Sequence, residues 1–276
     1  MRNALIAVAP ISLKLATLAQ RQRRVRTLIQ SAAEEGAKLV CFPEYVDVQR
    51  TTEAVELPNR PHKRLAKRFP DGEFAKMVRQ AAAEFRIGVL YGQCAWVGRK
   101  LLNLVVSIDA RGRILGTYAK THLAPDEGPE GQIDPGERIA PVPTVLGPAG
   151  IITCYEVIFP EIARTLHARG ARFLVVPTAG NSDKFFTMAR ARAAENLMPL
   201  VFSSYSVEAG VKSDGCGAAI VDSNGCVLVK TVHGRNILSA NIDLDPPRGS
   251  RFWHGRGPKV NLRSDAWNRR RTKLYK

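Results

Sequence analysis

Polar and apolar positions change period several times along this chain, and each change marks an element. Between residues 15 and 35 the apolar Leu18, Val25, Leu28, Ile29 and Ala32 recur at helical intervals with arginines between them, and Gly36 follows. The pattern predicts an amphipathic helix that stops at the glycine. Leu39-Val40-Cys41-Phe42-Pro43 is then a continuous apolar run closed by proline, as expected of a strand buried on both faces. Asp71 and Gly72 introduce a second helix to about residue 85. Residues 87–91, 101–108 and 114–118 read as successive strands, and Ala110-Arg111-Gly112-Arg113 turns the last pair into a hairpin. Farther on, 151–153 reads as a strand and 160–169 as a helix, which Pro160 opens and Glu161 favours at its positive end. A third helical stretch covers 184–196, where Arg192 and Glu195 form an i,i+3 pair of scaffold character. Strands at 200–204, 217–221, 227–230 and 237–242 complete the pattern, with Asp222-Ser223-Asn224-Gly225 as a hairpin turn.

One unit occurs twice. Residues 28–43 and 162–177 both run helix, Gly-Ala-basic, apolar strand, proline. Two such units predict a fold with related halves, and the correspondence carries Thr178, Ala179, Gly180 and Asn181 to the rim of the same pocket that Glu44 faces. The long stretches 46–70 and 121–143 lack periodicity and read as loops, the first either a pocket wall or a solvated insertion. Past residue 245 the pattern dissolves into Pro, Gly and arginine. The domain expectation is therefore 1–245, followed by a basic extension over 246–276.

Candidate chemistry sits at strand ends. Cys154 ends the 151–153 strand just before the helix that Pro160 opens, so its thiol is held on a short tether beside N–H groups that can serve as oxyanion donors. A cysteine in that position is ordinarily a small buried hydrophobe. Two other strand ends change the reading. Glu44 follows Phe42-Pro43, and Lys120 follows Tyr118-Ala119. A carboxylate can take a thiol proton, and an ammonium can stabilise both a thiolate and the oxyanion made by its attack.

The ordered set Phe42-Pro43-Glu44-Tyr45, Tyr118-Ala119-Lys120-Thr121-His122-Leu123 and Cys154-Tyr155-Glu156-Val157-Ile158-Phe159-Pro160-Glu161 resembles the nitrilase superfamily of carbon–nitrogen hydrolases over residues 4–241. The resemblance implies an α/β fold, a single-domain four-layer α-β-β-α sandwich whose first core strand is at 5–8, and a Glu-Lys-Cys triad. Carried over, Cys154 is the nucleophile, Glu44 the general base and Lys120 the oxyanion and thiolate stabiliser, with the Tyr155 backbone N–H as a second oxyanion donor. A second site glutamate follows the lysine in this family, a few residues before a Pro-Gly pair. Here that pair is Pro135-Gly136; Glu130 is the nearest fit, one residue short in spacing, and Glu127 is its rival. His122 reads as a positioning or packing residue.

The family comparison also bears on substrate. Cys-Tyr-Glu differs from the Cys-Trp-Glu associated with true nitrilases, which favours an amidase or N-carbamoyl hydrolase working through a Cys154 thioester; the alternative is a nitrilase working through a thioimidate. Cys-Tyr-Glu also resembles the apolipoprotein N-acyltransferase branch, but that branch carries membrane spans, and no run here is long enough to cross a bilayer. Family members dimerise through extended sheet stacking, so a homodimer or higher homo-oligomer is expected, with the tail either packed at a subunit contact or disordered.

Composition agrees with a compact enzyme. The 276 residues, 45% hydrophobic, suffice for a large single core. Five cysteines without paired spacing argue for a reducing, cytoplasmic setting and against a disulfide framework or metal site; neither cofactor nor metal is expected. Residues 4–9 imitate a signal-peptide core, but Pro10 closes the run early and Lys14 breaks up the next few residues, so a strand is the better reading. The formal charge of +16, clustered at 21–26, 62–68 and the last eight residues, raises a different class of function, a catalytically silent basic scaffold or a nucleic-acid binder. No helix-turn-helix, RNA-binding aromatic motif or zinc pattern accompanies the charge. Nucleic acid is accordingly set aside as a partner, and the field reads better as attracting an acidic small-molecule substrate.

Overall fold

The computed structural model of the chain describes residues 3–12, 17–48, 66–128, 133–206, 215–234, 236–245, 247–250 and 259–274. In chain order the strands are β1 (Asn3–Val8), β2 (Ile11–Ser12), β3 (Leu39–Cys41), β4 (Lys67–Arg68), β5 (Gly88–Val97), β6 (Lys100–Ile108), β7 (Ile114–Ala119), β8 (Ala149–Ile151), β9 (Phe173–Pro177), β10 (Leu200–Ser203), β11 (Tyr205–Ser206), β12 (Ala218–Val221), β13 (Val227–Thr231), β14 (Leu238–Asp243), β15 (Arg248–Ser250) and β16 (Lys259–Asn261). The helices are α1 (Leu18–Glu34), α2 (Glu73–Phe85), α3 (Pro160–Ala168), α4 (Asp183–Asn196) and α5 (Leu262–Asn268).

Two main sheets stack face to face. One has the order β14-β1-β3-β5-β6-β7 with β4 added against β5, and the other runs β13-β12-β10-β9-β8. Three apolar layers hold four layers of structure together. Val25, Leu28 and Ile29 of α1, with Val78 and Ala82 of α2, cover Val40, Val89 and Tyr91 on the outer face of the first sheet. Ile6, Val8, Leu39 and Val105 meet Ile151, Val175, Val201 and Ile220 between the sheets. Ile162, Leu166, Ala189 and Ala193 of α3 and α4 cover Leu174, Val176 and Phe202 on the far side. This is the α-β-β-α sandwich. Strands β3 and β9 are buried on both faces, which explains their unbroken apolar runs.

The repeated unit in the sequence is a repeated unit in space. Gly36 and Gly170 take φ of 83° and 87°, the left-handed region that ends a helix. Ala37 N–H then returns to Ala32 O, and Ala171 N–H to Leu166 O. Each chain goes on into a central strand that ends near the face between the sheets, β3 before Pro43-Glu44 and β9 at Pro177 before Thr178. Near the N-terminus, β1 pairs with both β14 and β3, so the first apolar run is a core strand.

Three departures have local causes. Strand β5 runs to Val97, well past the expected end, because Gly92, Gln93 and Cys94 interrupt its apolar pattern while its ladder with β6 continues from Val89↔Ile108 to Val97↔Lys100. Arg192 is more than half of a helix-surface pair. It keeps its Glu195 contact at 3.2 Å, but its Nε donates to Val157 O at 3.1 Å and so ties α4 to the turn after Cys154. The tail is not structureless where it is described. Strands β15 and β16 pair, Arg263 of α5 donates to Leu197 O at 2.7 Å, and Trp267 stacks on His167 of α3 with ring centroids 5.3 Å apart.

Candidate active site

Each functional side chain is delivered by the end of a strand. Strand β3 ends at Cys41, and Phe42 and Pro43 lead to Glu44; Tyr45 takes a φ of 54°, a turn braced by the Tyr205 hydroxyl, which donates to Glu44 O at 2.8 Å and Tyr45 O at 3.0 Å. Lys120 follows β7, and its N–H donates to Asn103 O of β6 at 2.9 Å. Cys154 follows β8 and opens a 3-10 turn, Cys154–Ile158, with a φ of 49°. A non-glycine residue in that conformation is strained, and strain of this kind gathers at functional sites. The first hydrogen bond of the turn is Glu156 N–H to Thr153 O, so the N–H groups of Cys154 and Tyr155 precede it and face outward from the helical ladder.

The three strand ends converge in a buried polar cluster. Lys120 and Glu44 are each 1% exposed, Cys154 8%. Lys120 Nζ donates to Glu44 Oε1 at 3.0 Å and to Glu127 Oε2 at 2.5 Å. Asn103 Nδ2 donates to the same two carboxylates, at 2.6 Å to Glu44 Oε1 and 2.9 Å to Glu127 Oε1. The Tyr45 hydroxyl donates to Glu127 Oε1 at 2.5 Å, and the Ala124 N–H to Glu127 Oε2 at 2.9 Å. From the second half of the fold, the Ala179 N–H donates to Glu44 Oε2 at 2.8 Å. Thr178 and Gly180 form a tight turn, the Thr178 hydroxyl donating to Gly180 O at 3.0 Å. Glu130 lies outside the described residues; Glu127 is the carboxylate that meets Lys120.

A third buried carboxylate locks the lysine loop to the cysteine turn. Glu156 is fully buried. Its Oε1 accepts from the Tyr118 hydroxyl at 2.7 Å, from Thr121 N–H at 2.8 Å and hydroxyl at 2.7 Å, and from His122 N–H at 3.2 Å. Its Oε2 accepts from Thr153 N–H at 2.8 Å. His122 itself packs on Phe159 with ring centroids 4.7 Å apart.

The electrostatics arise from this crowding. Burial and the Glu44 charge push the Cys154 thiol up to about 11, against the opposing pull of Lys120 and hydrogen bonding toward Thr178 and the Gly180 backbone. The balance favours the protonated thiol. Burial works against the Lys120 charge, but Glu44, Cys154 and Glu127 outweigh it and raise its pKa above the ordinary 10.5. Burial likewise opposes ionisation of Glu127, yet the Lys120 charge and the bonds from Lys120, Tyr45 and Ala124 hold it below the ordinary 4.5. The arrangement is thus a protonated thiol on a strained turn, beside a carboxylate and a fixed ammonium.

The family model for carbon–nitrogen hydrolases matches residues 4–249, a span that contains every group just described. The chain belongs to the carbon–nitrogen hydrolase family. Among relatives of this hydrolase, the human deaminated glutathione amidase is 28% identical over 235 residues, covering 79% of this chain and 70% of that protein. The citrullinase of Francisella tularensis is 26% identical over 273 residues, covering 92% of this chain and 94% of that protein. In three dimensions the hydrolase matches a double mutant of the amidase from Nesterenkonia sp. AN1 in complex with acrylamide, at a TM-score of 0.76 and 22% identity, over 99% of this chain and 96% of that one. Yeast Nit3, a member of the nitrilase superfamily, matches at a TM-score of 0.72 and 21% identity over 87% and 90% of the two chains.

Sequence reasoning missed Asn103, the clamping role of Glu156, and the Tyr205 brace. Asn103 lies within a predicted strand, Glu156 within a motif, and Tyr205 just past the strand predicted at 200–204. The signal available for Asn103 was its place as an isolated amide in the apolar run Leu101–Ile108.

Proposed function

We propose that this carbon–nitrogen hydrolase cleaves a non-peptide C–N bond of a small amide or N-carbamoyl compound through a thioester on Cys154. The carrying observation is that Glu44 and Lys120, paired with each other and with Glu127 on the same ammonium, both act on the thiol of the strained turn that Cys154 opens. Glu44 takes the thiol proton as sulfur attacks the carbonyl carbon. An ammonium has three hydrogens; Lys120 directs two at the carboxylates, and the third, with the Tyr155 N–H, meets the oxyanion. The intermediate collapses as Glu44 returns its proton to the leaving nitrogen, and ammonia or an amine departs. Water, deprotonated by Glu44, then attacks the thioester; collapse releases the acid and restores the thiol. Glu127 keeps Lys120 charged and in place throughout, and Thr178 and Ala179 wall the pocket, Ala179 orienting the base.

Two relatives' names, an amidase and a citrullinase, accord with an amide and a ureido group as the cleaved function. The substrate test is product analysis on three panels. Simple amides yield ammonia and an acid, N-carbamoyl compounds yield carbon dioxide with ammonia and an amine, and nitriles yield ammonia and an acid by way of a thioimidate. Turnover on either of the first two panels supports this reading. Turnover restricted to nitriles replaces it with the thioimidate route, and an inert Cys154 returns the chain to the silent-scaffold class.

The protein acts as a homo-oligomer in the cytoplasm on this reading. All five cysteines are free thiols and one, Cys226, is exposed, which suits a reducing compartment. No helix among the described residues is long and apolar enough to cross a membrane. The domain boundary near residue 245 and a subunit contact through the basic extension belong to the same proposal. Light scattering at micromolar concentration tests it: a mass of twice the chain or more is expected, and a monomer contradicts it.

A further inference from the structure

The carboxylates of Glu44 and Glu127 share one buried cation, and like charges brought this close repel one another. Tyr45 and Ala124 hold Glu127, and Ala179 holds Glu44. Asn103 is the residue that, like Lys120, bonds both. Its two amide hydrogens go one to each carboxylate, at 2.6 and 2.9 Å, and its backbone carbonyl receives the Lys120 N–H. One residue of β6 therefore fixes all three charged groups relative to one another.

The arrangement carries a cost that packing alone does not explain. Asn103 is 1% exposed within an apolar strand, and its Oδ1 is buried without a hydrogen-bond partner among the described residues. An orphaned buried acceptor is destabilising, and a leucine of similar size would remove it. The two donors to charged oxygens are what the asparagine adds.

We propose that Asn103 is a positioning residue for the hydrolytic reaction, its side-chain amide dividing the Glu44 and Glu127 carboxylates and keeping Glu44 ready to take the Cys154 proton. This rests on the functional reading above. Without that donor the Glu44 carboxylate is no longer held in its place, so the base-dependent rate falls.

The test is alkylation of Cys154 by iodoacetamide, followed by peptide mass spectrometry over a range of pH. Sulfur displaces iodide, the S–C bond forms as C–I breaks, and the thiol proton passes to the base. In Asn103→Leu the rate falls about tenfold to a hundredfold across the neutral range, as expected from losing hydrogen bonds to charged groups. Thermal melting shows that the fold is kept. The isosteric Asn103→Asp guards against a leucine variant that does not fold. A third carboxylate slows alkylation further at high pH, and the deficit narrows as pH falls and the new acid group regains a proton to donate. A purely packing role predicts a profile in Asn103→Leu that superimposes on the native one. If that is found while Glu44→Gln still suppresses alkylation, the inference about Asn103 is wrong and the functional reading stands. If Glu44→Gln alkylates as fast as the native protein, the functional reading fails, and the inference with it.

Discussion

The backbone N–H of Ala179 donates to Glu44 Oε2 across 135 residues of sequence, at 2.8 Å. The contact joins the turns that follow the two helix–strand units, one residue past Pro43 and two residues past Pro177. The buried Glu44 carboxylate of one half is therefore oriented by the backbone of the other, and the cluster exists only when both sheets are stacked.

Lys120 is the electrostatic keystone of that stack. With Lys120→Met two carboxylates remain buried without their cation. Breaking a buried pair on one side costs about 3–5 kcal/mol, so chemical denaturation should show a loss of that size together with loss of turnover. A stability unchanged within error would mean the cluster is better solvated than its burial indicates.

Gly92 lies where β5 passes the Glu44 turn. A Cβ there would stand 2.7 Å from Glu44 Cα and 2.8 Å from Pro43 O, both backbone atoms that cannot swing aside. Gly92→Ala is expected to cost about 1–3 kcal/mol through overpacking and, with Glu44 as the proposed base, to lower kcat more than it raises KM. Steady-state kinetics beside a melting curve checks both.

Glu156 never touches the reacting atoms, yet it holds the Lys120 loop and the Cys154 turn together. Glu156→Gln replaces one acceptor oxygen by a donor facing N–H and O–H groups. The two strand ends should drift apart, and displacements near 1 Å cost about a hundredfold in rate. The prediction is a fall in kcat of that order with the nucleophile still present and alkylatable; a native kcat would show that the clamp is dispensable.

Stability should depend on pH at both ends. Glu127 is held below its ordinary 4.5, so its contribution is present above that value and lost as pH falls through the depressed one. Lys120 is raised above its ordinary 10.5, so its contribution is complete below that pH and lost as pH rises beyond it. Melting temperature measured against pH should therefore fall at both extremes, and Lys120→Met should flatten the alkaline side.

How far the sequence foretold this site depends on where each residue's signal lay. Glu44, Lys120 and Cys154 were legible because each interrupts or ends an apolar run, and a strand end is where a buried sheet can present a polar group. The doubled helix-Gly-Ala-strand pattern foretold the place of Thr178 and Ala179. Glu127 stood only as a rival because a loop without periodicity gives no register to count from. Its position is set by tertiary bonds from Lys120, Tyr45 and Ala124, invisible along the chain. Asn103 was hidden for a related reason: the run Leu101–Ile108 is buried on both faces, so one amide within it breaks no alternation. The described part of the tail was illegible because α5 is held by Arg263 and Trp267 to other elements, and arginine-rich composition reads as solvated.

Whether Cys154 carries the acyl group is decided most directly by comparing ammonia release from short amides and N-carbamoyl compounds by the native protein and by Cys154→Ala. Turnover is expected in the first and none above background in the second, with the variant's melting temperature retained. Turnover that survives in Cys154→Ala would contradict the thioester mechanism and place the nucleophile elsewhere.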